Sequence, residues 1–247
     1  MEEQGFRVGV YVDGFNLYYG GRSLFGKGTA GWKWLDLRKL SERLIEKYSG
    51  WPKPTLIRTI YCTARVSGSD DPQKEIDQNV YLRGLRAAGS VNQIEFGTFK
   101  RRLSFLPLAV DGKKNPKLVE SSPPFYIQDK NFQPISDAKF IVSVARWEEK
   151  GSDVNVGSHL LSDALLNKIE CAIVISNDSD LRFPIQEVRK RLPVGTVNPA
   201  HKKVAGHLKG FESEGAGGHW WYQLDANDFL ECQLPSKLGN CIKPRHW

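Results

Sequence analysis

The 247-residue chain offers little sulfur chemistry: its four cysteines, Cys62, Cys171, Cys232 and Cys241, include no closely spaced pair. A zinc ribbon or a CxxC redox motif is therefore excluded, and a chain of this length needs no disulfide staples. Buried or free thiols in a reducing compartment are expected. No apolar run reaches the roughly 20 residues of a membrane-spanning helix. The first residues, Met1-Glu-Glu-Gln-Gly-Phe-Arg7, begin acidic and lead into only a short apolar run, unlike a signal peptide. A soluble cytoplasmic protein with no membrane partner is the expectation. Internal repeats and low-complexity tracts are also lacking. Gly9 and Gly14 do not compose a GxGxxG fingerprint after the first apolar run, which argues against a nicotinamide dehydrogenase.

What the chain does carry is positive charge. A net charge of +7 and an isoelectric point near 9.2 favour an anionic partner such as nucleic acid, because clustered Lys and Arg release counterions from phosphates. With 40% hydrophobic residues it can bury a full core, and a single α/β domain with an insertion suits its length. Arg7 to Val12 reads as a buried strand ending at the turn-prone Asp13-Gly14. Leu37, Leu40, Leu44 and Tyr48 mark an amphipathic helix that Asp36 caps and Gly50 ends. Thr55 to Ala64 is a strand, and Asp71-Pro72 opens a helix that stops at Gly89. Further strands are expected at 92–99, 140–145, 171–176 and 193–198, with helices at about 153–167 and through Ile185, Val188 and Leu192. Such alternation predicts a parallel, doubly wound sheet. The polar, proline-interrupted stretch 100–139 breaks the rhythm and reads as a β-rich insertion. Its cations, Lys100-Arg101-Arg102 with Phe105 and then Lys113-Lys114 and Lys117, suit either a grip on a phosphate backbone or an ordinary solvated loop. Arg189-Lys-Arg191 and Lys202-Lys203 have the same two readings. In the C-terminal extension 205–247, Trp220-Trp221-Tyr222 and then Phe229, Leu230 and Leu234 are expected to close the core as a last strand and helix.

Three acidic segments fall where such a sheet gathers its chemistry, at the carboxyl ends of strands. Tyr11-Val-Asp-Gly-Phe-Asn16 delivers Asp13. Ile173-Val-Ile-Ser-Asn-Asp-Ser-Asp180 delivers Asp178 and Asp180. The third, Lys150-Gly-Ser-Asp153, opens a helix. At 100° per residue, Val156, Leu160, Leu161 and Ala164 fall within about 80° of Asp153, so Asp153 faces the sheet. Asn155, His159 and Asp163 form a stripe at the edge of that face, where hydrogen bonds to neighbouring loops are the simpler role. Carboxylates converging without Cys or His suit a hard oxygen-loving ion, Mg²⁺ or Mn²⁺, rather than Zn²⁺. Such an ion serves phosphodiester hydrolysis. The bland alternative makes Asp13 a turn residue and Asp180 or Ser179 a helix cap.

At these segments, Val12-Asp-Gly-Phe-Asn-Leu17, Lys150-Gly-Ser-Asp-Val-Asn155 and Ser176-Asn-Asp-Ser-Asp-Leu-Arg-Phe-Pro184, the sequence resembles the NYN domain family, a branch of the PIN-like nucleases. The resemblance spans roughly residues 6 to 200 and is nearest to bacterial members. Many relatives carry Gly where Asn177 stands; Asn tolerates the left-handed backbone Gly would provide. The resemblance implies a PIN-like three-layer α/β/α fold with a central, mainly parallel sheet. It also implies a metal-dependent nuclease, an endoribonuclease, with Asp13, Asp153, Asp178 and Asp180 as catalytic metal ligands. Asn16 then orients the site or the phosphate, and Ser176, Asn177 and Lys150 meet the substrate; Arg101 and Arg102, in the insertion that the resemblance does not cover, join them on the phosphate-gripping reading of that stretch. RNA, single-stranded or structured, is the expected partner; the residues do not separate it from DNA, and a homo-oligomer stays open. The alternative function is an RNA-binding or regulatory module without turnover. An aspartyl phosphatase of the haloacid dehalogenase type is disfavoured, since it needs a second acid where Phe15 stands.

Overall fold

The computed structural model describes residues 5–69, 71–110, 115–121, 126–200 and 205–247. The chain forms two compact units, one of Met1–Thr98 with Glu149–Trp247 and the other of Phe99–Glu148. The first unit begins with β1 (Arg7–Asp13), α1 (Gly14–Phe25), α2 (Leu37–Tyr48), β2 (Thr55–Ala64), α3 (Pro72–Ala87) and the start of β3 (Gln93–Pro107). It resumes with the end of β4 (Ile141–Lys150), α4 (Ser152–Leu165), β5 (Cys171–Ile175), a 3-10 turn (Ser179–Leu181), α5 (Arg182–Arg189) and β6 (Val194–Asn198). α6 (Gly206–Lys209), β7 (Trp220–Gln223), α7 (Ala226–Glu231), β8 (Lys237–Leu238) and β9 (Cys241–Ile242) complete it.

Seven strands form one sheet in the order β4-β3-β2-β1-β5-β6-β7, and the pairings from β3 through β7 are all parallel. Strands covered on both faces need apolar side chains on both, which explains the unbroken run in β1. Val8, Val10 and Val12 pack with Leu17 of α1, Leu40 and Leu44 of α2 and Leu85 of α3. Tyr11, pointing the other way, packs with Val156 and Leu160 of α4 and Ile185 of α5. β5 divides likewise, with Ile173 and Ile175 on the first face and Ala172 and Val174 on the second. The result is a mixed α/β fold, a mainly parallel sheet with helices on both faces.

From β1 the order runs out through β2 and β3 on one side and through β5 and β6 on the other. Strand order therefore reverses between β1 and β5. The segment after β1 joins the first face through Leu17, whereas the segment after β5 joins the second through Leu181. Connections leaving adjacent strands toward opposite faces open a crevice at their carboxyl ends. Asp13 and Ser176 lie at that edge.

Several expectations change. Asp13-Gly14 is no turn; the Asp13 carboxylate accepts the Asn16 N–H at 3.0 Å and caps α1. A Cβ on Gly14 would sit 2.7 Å from the Tyr61 ring, so glycine is what lets the helix start against β2. The helix through Ile185 and Val188 ends at Arg189, short of Leu192. β3 runs on to Pro107, well past the expected 99. In the second unit the sheet-like pattern continues with bridges Ala109–Leu118, Glu120–Lys139 and Gln128–Pro134, and Leu103 and Phe105 are exposed. β7 joins the main sheet, and α7 buries Phe229. Among the described residues, no helix is long and apolar enough to cross a membrane.

Candidate active site

The crevice is a cleft of about 700 Å³ lined by Asp13, one face of α1, the first turn of α4 and the Asn177-Asp178 segment after β5. Ala200 closes another part of its wall.

Asp13 is the buried centre, with only 4% of its surface exposed. Besides the Asn16 N–H it accepts a hydrogen bond from the Ser176 hydroxyl at 2.9 Å, and Ser176 Oγ in turn accepts the Asp178 N–H at 3.1 Å. Burial pushes the Asp13 carboxyl up to about 6, and the negative charges of Asp178 and Glu149 add to that; the Asn16 N–H and the Ser176 hydroxyl oppose it. Two bonds to the ionised form do not outweigh desolvation and two like charges.

Asp178 is half-buried and lines the cleft; its Oδ1 accepts the Asp180 N–H at 3.0 Å and caps the 3-10 turn. The cap is thus Asp178, where Ser179 or Asp180 was expected. Asp180 is exposed and is not among the residues that line the cleft. Asp153 is half-buried and does line it, on the first turn of α4, while Val156, Leu160 and Ala164 of the same face are in the core. Ser176 is fully buried and holds Asp13 and Asp178 in place from behind, so it has no surface for substrate. Asn16 accepts the Asn177 N–H on Oδ1 at 2.9 Å, which leaves its amide NH₂ as a donor in the cleft wall. Asn177 accepts the Ala205 N–H at 2.8 Å. Its backbone is not in the left-handed region, so tolerance of positive φ is not why asparagine stands there; the carboxamide oxygen binds the next strand's connection.

Glu149 was not singled out from the sequence. It lines the cleft, raises the Asp13 pKa, and accepts the Ser152 N–H at 3.1 Å, capping the start of α4 across Gly151. An acid just before a Gly-Ser helix start was the available signal. Among the described residues, four carboxylates, Asp13, Glu149, Asp153 and Asp178, therefore share the cleft wall with one ammonium, Lys150. Among the described residues, no three His, Cys, Asp or Glu side chains converge closely enough to form a ready-made metal nest.

Other expected contacts go elsewhere. Arg101 and Arg102 belong to the second unit, where both are exposed. Lys113, Lys114, Lys202 and Lys203 lie outside the described residues. Arg189, read as a surface cation, is fully buried and donates to Thr196 Oγ1 at 2.9 Å and to the carbonyls of Leu208 and Lys209 at 2.6 and 3.2 Å. Asp163, read as a loop partner, is buried against strands: it accepts from the Tyr11 hydroxyl at 2.9 Å and from Arg58 at 3.1 Å, with Lys168 at 3.3 Å. His159 faces Glu95 of β3 at 3.4 Å and does not line the cleft.

Comparison with protein-family profiles matched none. Over its whole length the chain is 26% identical to 77% of the 6-hydroxy-3-succinoylpyridine 3-monooxygenase of Pseudomonas putida. A crystal structure of a protein of unknown function from Vibrio parahaemolyticus superposes with a TM-score of 0.43 and 14% identity, over 93% of this chain and 98% of that one.

Proposed function

We propose that this chain is a divalent-metal-dependent nuclease of the PIN-like NYN type that hydrolyses RNA phosphodiesters. The observation that carries the reading is the set of acids at the strand switch point, oxygen donors only among the described residues, with a buried Asp13 whose charge Asp178 and Glu149 oppose. A cation relieves that opposition, and hard carboxylate donors, with no thiolate or imidazole among the described lining residues, select Mg²⁺ or Mn²⁺. Mg²⁺ commonly takes one or two carboxylates, keeps several waters and completes its shell with substrate phosphate, so a preformed nest of three acids is not required. Asp13 and Asp178 would hold the ion, with Glu149 and Asp153 bonding its waters. A bound ion supplies charge neutralisation and Lewis acidity to a scissile phosphate. The chain's own groups do the positioning. Ser176 fixes the rotamer of Asp13 and tethers the backbone of Asp178, the Asn16 NH₂ donates to a phosphate oxygen, and Lys150 supplies the one positive side chain among the described lining residues.

Purified protein with Mn²⁺ is expected to cleave RNA, and Asp178→Asn is expected to abolish cleavage and weaken divalent-ion binding. Absence of cleavage together with unchanged ion affinity in Asp178→Asn overturns the reading. RNA bound but uncut, equally by wild type and Asp13→Asn, points instead to a binding module. The full-length similarity to a monooxygenase favours a second reading, oxygen insertion into a small hydroxypyridine. That chemistry consumes O₂ and two electrons from a reductant, so reductant-dependent O₂ uptake stimulated by a hydroxypyridine supports it, and its absence removes it.

A further inference from the structure

The acids occupy one end of the cleft wall, and the same wall continues along α1 with a different character. Phe15, Asn16, Tyr19, Gly20 and Ser23 all line the cleft, as residues spaced three and four apart on one helical face do. At about 1.5 Å per residue this face extends roughly 15 Å from Asp13 to Ser23. It contains no carboxylate. Gly20 cannot carry a side chain, because a Cβ there would meet the Pro199 carbonyl oxygen at 2.3 Å. The helix is thereby pressed against the end of β6, and its aromatics are held at a fixed height beside the acids.

Tyr19 stands out on this face. It is 56% exposed. Phe15, one turn earlier, is stacked on it with centroids 6.4 Å apart and planes inclined by 27°. Tyr18 meets it edge-on at 5.4 Å, and Tyr18 is braced in turn by the buried Trp32 at 5.5 Å. A ring backed by the half-buried Phe15 and by a Tyr18 that rests on the buried Trp32, and still open to a concave cleft, is a surface for another ring, since flat aromatic faces lose little conformational freedom on binding one.

We propose that Tyr19, backed by Phe15, is a stacking shelf for the nucleobase next to the scissile phosphate, and that the substrate is therefore single-stranded at the cleavage point. The inference rests on the nuclease reading, and it adds the strand state of the substrate and the residue that selects it. A paired base has its faces covered by its neighbours, whereas an unpaired one offers a face to an aromatic side chain whatever its identity. Tyr19 is accordingly a positioning residue that is indifferent to base sequence.

The test is a cycle between protein and substrate. Binding of a short labelled single-stranded oligoribonucleotide is measured by fluorescence anisotropy, with Ca²⁺ in place of Mn²⁺, for wild type, Tyr19→Ala and Tyr19→Phe. An abasic residue is placed at each position of the oligonucleotide in turn. One abasic position is expected to weaken wild-type binding on the order of tenfold, to cost Tyr19→Ala no more than about twofold, and to cost Tyr19→Phe as much as wild type. Fully paired RNA is expected to bind more weakly than the single strand. Equal abasic penalties in wild type and Tyr19→Ala, or duplex bound as tightly as single strand, overturn the shelf while leaving the nuclease reading intact provided RNA is still cut with Mn²⁺. No RNA binding and no cleavage by wild type overturns both.

Discussion

Replacing Asp13 by asparagine should stabilise this protein at neutral pH. The carboxyl of Asp13 is pushed from 3.8 to about 6, chiefly by burial. A carboxyl raised in the folded state binds its proton more tightly there than in the unfolded chain. Its contribution to stability is therefore complete below about 3.8 and is lost as the pH climbs through 6. The interval is worth about 3 kcal/mol at roughly 1.4 kcal/mol per pH decade. Asparagine has no charge to desolvate, and its Oδ1 can still accept the Asn16 N–H. Its NH₂ cannot accept from Ser176, whose hydroxyl must turn; that exchange returns about 1 kcal/mol. A net gain of about 2 kcal/mol at pH 7.5 follows, or roughly 4–8 °C in Tm for a chain of this size. At pH 4 the difference should shrink to below about 1 kcal/mol, because the wild-type carboxyl is then protonated in the folded state. Thermal melts of both proteins across this pH range measure it. Added Mn²⁺, by binding only the folded wild type, should close the gap at pH 7.5. An asparagine variant that is less stable than wild type at pH 7.5, or equally stabilised at pH 4, would refute the account of Asp13 as a charge held at a cost.

Other outcomes test the scaffold separately from the site. Gly20→Ala should cost about 1–3 kcal/mol in denaturant unfolding, since its Cβ meets backbone oxygen at 2.3 Å, whereas Gly206→Ala, with nothing within 4 Å, should be neutral or slightly stabilising. Asp163→Asn should lower stability by about 2–4 kcal/mol, because it removes the ionic partner of Arg58, leaving that guanidinium its bond to Gln93, and weakens the Tyr11 bond, while divalent-ion affinity measured by calorimetry stays at the wild-type value. Arg189→Met should cost about 2 kcal/mol through the three acceptors it leaves, and it should not change the salt dependence of RNA binding, as a residue in a phosphate-gripping groove would.

The sheet was readable because its strands are covered on both faces. Val8 to Val12 and Ile173 to Ile175 had to be apolar without interruption, and such runs ending at Asp13 and Asp178 point to a strand edge. α1 was not readable, for a physical reason. Gly14, Gly20 and Gly21 are poor helix formers, and each is there because Tyr61, Pro199 or Trp32 leaves no room for a Cβ. Helix propensity was given up for close packing, and the packing partners lie far away in sequence. The extension of β3 to Pro107 was hidden because most of its residues from Lys100 are exposed, so no apolar alternation marks them. Arg189 sits in a basic run that looks like surface, yet its side chain is buried and its Nη2 is taken up by three acceptors. Asp13, Asp153 and Asp178 come together around the cleft, whereas Asp180 stays outside its lining and Glu149 enters it.

The charge of the whole chain and the charge of the cleft point in opposite directions, and that opposition limits how a polyanion can bind. A net charge of +7 draws nucleic acid from a distance, but beyond about 8–10 Å at physiological salt such attraction is screened. Within that range the described lining that an arriving phosphate meets holds four carboxylates and one lysine. Long-range attraction delivers the chain to the surface without seating it in the cleft. Seating requires either a cation shared between carboxylate and phosphate or a contact that carries no charge. The cleft offers a place for each along α1: oxygen donors around Asp13 at its start, and the uncharged ring of Tyr19 midway along it. A substrate bound through both has one phosphate at the acids and one base on the aromatic face, with its position along the cleft set by the spacing between them.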